Sequence, residues 1–129
     1  MERPLLSLIL PVLDEAATLP AQLVRLQDLR RRGAEVLVVD GGSADATPIL
    51  ARPLVDRLIA APRGRAAQMN AGAGAARGQV LLFLHADTTL PPAADALIHA
   101  AIATGAAWGR FDVRIDAHHP LLRLVERMM

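Results

Sequence analysis

The chain has 129 residues, an ordinary length for one domain, with 14 basic and 13 acidic side chains and a net charge of +1. That near-balance and a 2% aromatic content argue against a nucleic-acid binder, which needs a basic field and stacking platforms. All the basic residues are arginine and cysteine is absent, which excludes a lysine Schiff base, a P-loop lysine, disulfides and cysteine-ligated zinc.

Leu5–Leu10 is a continuous apolar run ending at Pro11, as expected of a strand buried on both faces of a parallel sheet. The run is far shorter than the roughly 20 residues that span a bilayer and lacks a secretory-type cleavage site. It therefore reads as the first core strand of a cytoplasmic protein. Asp14-Glu15 follows, and then a helix with Thr18 as N-cap, Pro20 in the first turn and Leu23, Leu26 and Leu29 at helical spacing. Arg30-Arg31-Arg32-Gly33 ends it, with positive charge complementing the helix dipole and glycine closing the last turn.

Val36–Val39 is the second strand, and Asp40-Gly41-Gly42-Ser43 turns the chain into a short helix starting near Ala44 to Thr47. Two glycines behind a strand-tip carboxylate let the backbone approach a ligand closely. Asp40 in a simple Asx turn is the competing account, and Asp45 is expected to start the helix rather than to touch a ligand. Leu58–Ala61 is a weaker third strand. Arg63-Gly64-Arg65 opens an Ala/Gly-rich helix over 66–76. With Gln68 and Asn70 it places guanidinium and amide groups near a helix N-terminus, where phosphate charge is favoured; a solvated loop is the alternative.

Val80–Leu84 is the fourth strand and leads to His85-Ala86-Asp87. Asp87 is a candidate carboxylate for a divalent metal, whereas His85 is equally consistent with a hydrogen-bonded core histidine. Pro91-Pro92 starts a helix running to Gly105, and Trp108–Ile115 alternates as a half-exposed strand. His118-His119 reads as loop, since neighbours on an extended chain point opposite ways. Leu121–Met129 has helical spacing in Leu121, Leu122, Leu124, Val125 and Met128. Its apolar face is expected to drive self-association, so that a homo-oligomer forms through residues 121–129.

Alternating strands and helices predict an α/β layered fold in one domain over 1–129, with a mostly parallel sheet in the order 3-2-1-4. Asp14, Asp40 and Asp87 then rim one crevice at the carboxyl ends of the strands, where ligands bind in open parallel sheets.

Taken together, Leu8-Ile9-Leu10-Pro11 with Asp14-Glu15, Val38-Val39-Asp40-Gly41-Gly42-Ser43-Ala44-Asp45, Arg63-Gly64-Arg65 to Asn70-Ala71-Gly72, and Leu84-His85-Ala86-Asp87-Thr88 resemble family 2 glycosyltransferases of the GT-A fold. The resemblance is strongest to the small bacterial branch whose metal motif reads His-Ala-Asp and whose Trp-Gly-Arg-Phe-Asp segment corresponds to Trp108–Asp112.

The resemblance implies a GT-A three-layer sandwich. It also implies a UDP- or GDP-linked sugar as donor, Mg²⁺ or Mn²⁺ as cofactor, and inverting transfer to an acceptor hydroxyl of unknown identity. Pro11 and Glu15 border the nucleotide, Asp40 bonds the base or ribose, Arg65 lies near the base and diphosphate, and Asp87 binds metal. Gly41 and His85 complete the nucleotide-sugar set. Family members also carry a second half with an acidic base, usually in a Glu-Asp motif. Asp112 and Asp116 are the nearest acids here, and no catalytic base is assigned. The expectation is a chain truncated after its donor-binding half, cytoplasmic or peripheral at the inner membrane face. The alternative is a non-catalytic α/β interaction protein that dimerises through a C-terminal helix.

Overall fold

The structure, a computed structural model, describes residues 5–103 and 105 and the backbone of two strands at 109–112 and 121–124. The chain divides into two compact units, Glu2–Thr89 and Leu90–Met129.

In the first unit the elements are β1 (Leu6–Val12), α1 (Leu19–Arg25), α2 (Gln27–Arg31), β2 (Glu35–Asp40), α3 (Thr47–Ala51), a 3-10 turn at Arg52–Leu54, β3 (Arg57–Ala60), α4 (Arg65–Ala75) and β4 (Val80–Phe83). The four strands form one parallel sheet in the order β3-β2-β1-β4, as expected. The central strands are buried almost throughout, which is why they read as unbroken apolar runs rather than alternating ones.

Right-handed crossovers place α1 to α3 on one face of this sheet and α4 on the other, because the chain steps from β1 to β3 in one direction and returns to β4 in the opposite one. Pro11 lies inside β1 and not at its end. Its missing N–H is harmless there: Ile9 accepts from Leu84 on the β4 side, Pro11 faces that same side two residues on, and pairing with β4 stops at Ile9 and Phe83.

On the α4 face, Ile9, Leu37 and Val39 are fully buried and pack with Ala71, Ala75, Ala76 and Ile59. A Cβ at Gly72 would fall 2.5 Å from Ile9 Cγ2 and 3.0 Å from Val39 Cγ2, so this glycine sets how closely the helix approaches the sheet. At the amino-terminal edge of the sheet, Ser7 donates to buried Glu35 at 2.7 Å, and Arg77 N–H reaches the same oxygen at 2.9 Å. The other Glu35 oxygen lies 3.3 Å from Arg77 Nε, so the buried charge is paired at the edge remote from the strand tips.

Three local expectations change. The single helix after β1 is two, broken at Leu26: the Gln27 carboxamide, not its backbone N–H, takes the Leu23 carbonyl at 2.9 Å and also bonds Leu54 O. Thr18 is at the N-cap position, but its hydroxyl bonds the Glu15 carboxylate at 3.3 Å instead of a helix N–H. β4 ends at Phe83, so residues 85–88 form a turn, closed by Thr88 N–H on His85 O at 3.1 Å.

The second unit holds α5 (Ala94–Ala103), β5 (Gly109–Asp112) and β6 (Leu121–Leu124), with β5 and β6 antiparallel. The helix expected over 121–129 is therefore corrected to a strand over 121–124. Leu121, Leu122 and Leu124 satisfy either periodicity in so short a run, and pairing with β5 decides it. Trp108, residues 113–120, including Asp116, His118 and His119, and residues 125–129 lie outside the described residues.

Two helix glycines give opposite expectations. Gly74→Ala meets open space and should stabilise the fold by up to about 1 kcal/mol through helix propensity. Gly72→Ala should instead destabilise by about 1–3 kcal/mol through overpacking against Ile9, with both effects measured by urea unfolding.

Candidate functional site

At the carboxyl edge of the first unit's sheet, the turns after β1 and β2 are laced together reciprocally. Asp14 N–H donates to Ser43 Oγ at 2.9 Å, while Asp14 Oδ1 accepts from Ala44 N–H at 2.7 Å and Asp45 N–H at 3.3 Å. Glu15 N–H donates to Thr47 Oγ1 at 2.8 Å, and Ala16 N–H to Asp45 Oδ2 at 3.2 Å. These bonds hold Asp14 at a φ of +51°, a left-handed conformation that aspartate tolerates better than most residues. The expectation that Asp14 offers its carboxylate to a ligand is thus revised: one of its oxygens serves the neighbouring turn.

Asp40, at the tip of β2, is buried and folds back on its own turn. Oδ2 accepts from Gly42 N–H at 3.1 Å and Ser43 N–H at 3.0 Å, and Ser43 Oγ donates to Oδ1. This is the Asx-turn arrangement, with Gly42 at φ +98° supplying the left-handed residue that the turn requires. A carboxylate has about four lone-pair directions, so three donors leave one on Oδ1.

Asp45 starts α3 as expected, accepting from both the N–H and the hydroxyl of Thr47. The Thr47 hydroxyl is the main reason its pKa is lowered from the usual 3.8, with backbone N–H donors adding to it and partial desolvation opposing.

Gln68 was expected near a phosphate and is instead a buried brace. Its Nε2 donates to Val12 O at 2.9 Å and Val39 O at 3.0 Å, joining the ends of β1 and β2, and its Oε1 accepts from Gly64 N–H at 3.2 Å. The requirement for glycine at position 41 arises here, since a Cβ would fall 2.9 Å from the Gln68 carboxamide.

The same brace brings the start of α4 to the strand tips. Arg65, its first residue, extends Nη2 to 2.9 Å from His85 Nε2 and 3.3 Å from Nδ1. His85 is exposed beside that guanidinium rather than packed in the core, so the choice left open by the sequence falls to the surface. Asp87, two residues on, is also exposed, and among the described residues no hydrogen-bond donor or cation holds its carboxylate.

Pro11 and Glu15 stand at the same edge. Glu15 is half-buried with its carboxylate against Thr18. The structure thus gathers Pro11, Glu15, Asp40, Gly41, Arg65, His85 and Asp87 at the carboxyl ends of β1, β2 and β4.

Gln22, which belongs to none of the sequence motifs, also acts at this edge. This α1 residue is 1% exposed, and its Nε2 donates to His85 O at 3.3 Å and to Thr88 O. A glutamine one position from Leu23 on an otherwise apolar helix face was the available signal.

Among the described residues no three His, Cys, Asp or Glu side chains converge as a metal cage. The site offers one free carboxylate with a guanidinium nearby. Such a donor set fits Mg²⁺- or Mn²⁺-type ions, which take one or two protein carboxylates and complete their shell with substrate phosphates and water.

The pKa of Asp45 has a testable consequence. Because the folded value lies below the unfolded one, the stability it contributes is full above 3.8 and is lost as pH falls through the lowered value. Asp45→Asn should flatten the acid limb of the stability profile below about pH 4, read by denaturant melts across that range.

Comparison with known proteins matches the sequence and the fold. The model of Glycosyl transferase family 2 covers residues 7–123. A PGL/p-HBAD biosynthesis glycosyltransferase of Mycobacterium bovis is 40% identical over 97 residues, which is 70% of this chain and 38% of that protein. The solved mannosyltransferase PcManGT from Pyrobaculum calidifontis, in complex with GDP-Man and Mn²⁺, superposes with a TM-score of 0.67 at 28% identity. The superposition covers 83% of this chain and 34% of the other. Glucosyl-3-phosphoglycerate synthase from Mycobacterium tuberculosis shares the fold with a TM-score of 0.68 at 23% identity, over 79% of this chain and 40% of the other. The chain therefore spans less than half the length of these relatives. Matched over most of its length by that family's model and sharing the parallel sheet of solved relatives, the chain belongs to the family 2 glycosyltransferases and has the GT-A fold.

Proposed function

We propose that this chain is the donor-binding part of a metal-dependent glycosyltransferase, taking a UDP- or GDP-linked sugar and inverting the anomeric centre on transfer to an acceptor hydroxyl. The observation that carries this reading is the contact of Arg65 with His85 across the sheet edge, which sets a fixed positive charge beside the turn bearing Asp87. A diphosphate needs both: a guanidinium for its oxygens and a metal carboxylate next to them. A solved relative in complex with GDP-Man and Mn²⁺ supports a nucleotide-linked sugar and a divalent ion as the ligands.

In this reading Asp40 presents its remaining Oδ1 lone pair to the base or ribose, on a carboxylate whose position its own turn already fixes. Such fixing costs nothing further when the ligand arrives. Pro11 and Glu15 border the nucleotide, the buried Gly41 keeps the turn narrow, and Asp87 holds Mg²⁺ or Mn²⁺. When bound, that ion supplies Lewis-acid charge to the departing diphosphate. In this reading the acceptor site and the acidic base fall in the part of the longer relatives that this chain does not match.

Residues 1–129 are read as serving this one nucleotide-sugar-binding domain, working in the cytoplasm or peripherally at the inner membrane face. No helix among the described residues is long and apolar enough to cross a membrane. The competing interaction protein loses its motif, since residues 121–124 are a strand and not the helix through which dimerisation was expected.

Isothermal titration with UDP and with GDP, with and without Mn²⁺, should show metal-assisted binding of one nucleotide. Asp87→Ala should abolish the metal assistance while leaving the fold intact by circular dichroism. Equal affinity with and without metal in the native chain would refute the reading.

A further inference from the structure

Two buried glutamines act at the carboxyl edge of the sheet, and each spends both amide protons on backbone carbonyls. Gln68 joins Val12 O and Val39 O, and its own oxygen is satisfied by Gly64 N–H. Gln22 joins His85 O and Thr88 O, the first and last carbonyls of the turn that presents Asp87. That turn has just one internal backbone bond, Thr88 N–H to His85 O, and it begins where the β4 ladder has ended. Its carboxylate is exposed and, among the described residues, unheld by any side chain. The position of Asp87 therefore depends on backbone geometry, and Gln22 is the side chain that constrains it from both ends. Gln22 is 1% exposed on α1, and its Oε1 is buried without a hydrogen-bond partner. An orphaned amide oxygen is costly to keep, and a leucine of similar volume would avoid the cost. What glutamine supplies at this position is the pair of amide N–H donors.

We infer that Gln22 is a positioning residue for the metal site: its carboxamide fixes the 85–88 turn so that Asp87 is preset to meet the ion that accompanies a nucleoside diphosphate. The inference rests on the proposed donor-site reading. Groups that orient a metal ligand typically govern affinity by about 10- to 100-fold when removed. A role confined to general stability would weaken metal-free and metal-assisted nucleotide binding alike. A positioning role separates the two.

The test uses the full chain, UDP and Mn²⁺, with bound Mn²⁺ followed by loss of the free-ion paramagnetic resonance signal and metal-free UDP affinity by titration. Gln22→Leu should weaken Mn²⁺ binding in the presence of UDP by about tenfold or more, and should leave metal-free UDP affinity within about twofold. Native chain that binds Mn²⁺ and UDP together, with Gln22→Leu binding Mn²⁺ equally well, overturns the inference and spares the donor-site reading. Native chain that binds no Mn²⁺ with UDP or with GDP overturns both. Should Gln22→Leu fail to fold, the native chain still decides: titration with Mg²⁺ and UDP should shift the Gln22 side-chain amide resonances along the same saturation curve as the Asp87 backbone amide. Unmoved Gln22 resonances alongside a shifting Asp87 amide overturn the proposal.

Discussion

A sheet carbonyl has two lone pairs and its ladder uses one, so a side-chain amide can also bond the tip of a strand that is already paired. In this chain the carboxamide of Gln68 does so for β1 and β2 at once, bonding Val39 O and Val12 O, the latter also accepting from Gly41 N–H at 3.0 Å, from within the core. The site depends on this one constraint. Because the same side chain also takes Gly64 N–H, it pins the loop before α4 to the strand tips and so delivers Arg65 to the sheet edge. It also bears on the glycine that opens the turn after β2, as a Cβ at residue 41 would fall 2.9 Å from the carboxamide and push it out of this brace.

The two turns beside it are held by each other. Asp14 and Asp45 each use a carboxylate to satisfy N–H groups on the opposite turn, and Ser43 passes a chain of hydrogen bonds from Asp14 N–H to the Asp40 carboxylate. Acids that resemble a cluster of ligands in the sequence thus divide by task. Asp14 and Asp45 build the rim, Asp40 is fixed in its own turn with limited capacity left, and Asp87 is the carboxylate that no described side chain engages. That division favours Asp87 over the other three as the proposed metal ligand, because a carboxylate already committed to backbone donors must give them up to bind an ion.

The small residues of α4 show how packing and site geometry are linked. Gly72 brings the helix against Ile9 and Val39, closer than any larger residue permits, and that approach sets the depth at which Gln68 enters the sheet edge one turn earlier. The cost in helix propensity is offset by burial of Ile9, Leu37 and Val39, each worth about 1.5–3 kcal/mol when fully removed from water.

The order of strands, the α/β class and the placing of Asp40 and Asp87 at strand ends were legible from residue pattern alone, since buried parallel strands must be short apolar runs and right-handed crossovers leave few topologies. The four motifs in their order were enough to indicate the family. What pattern could not supply was the partner of each polar group. Gln22 and Gln68 look alike among apolar neighbours, yet one braces a turn and the other a pair of strands, and only the approach of segments 56 to 66 residues apart reveals which. Leu121–Leu124 is undecidable in the same way, because four residues satisfy helical and extended spacing equally and β5 settles the matter. Local chemistry decided which segments fold and where charge gathers. Tertiary structure decided which charges are free, because hydrogen bonding is a property of pairs, and distant pairs have no signature in a single chain's spacing.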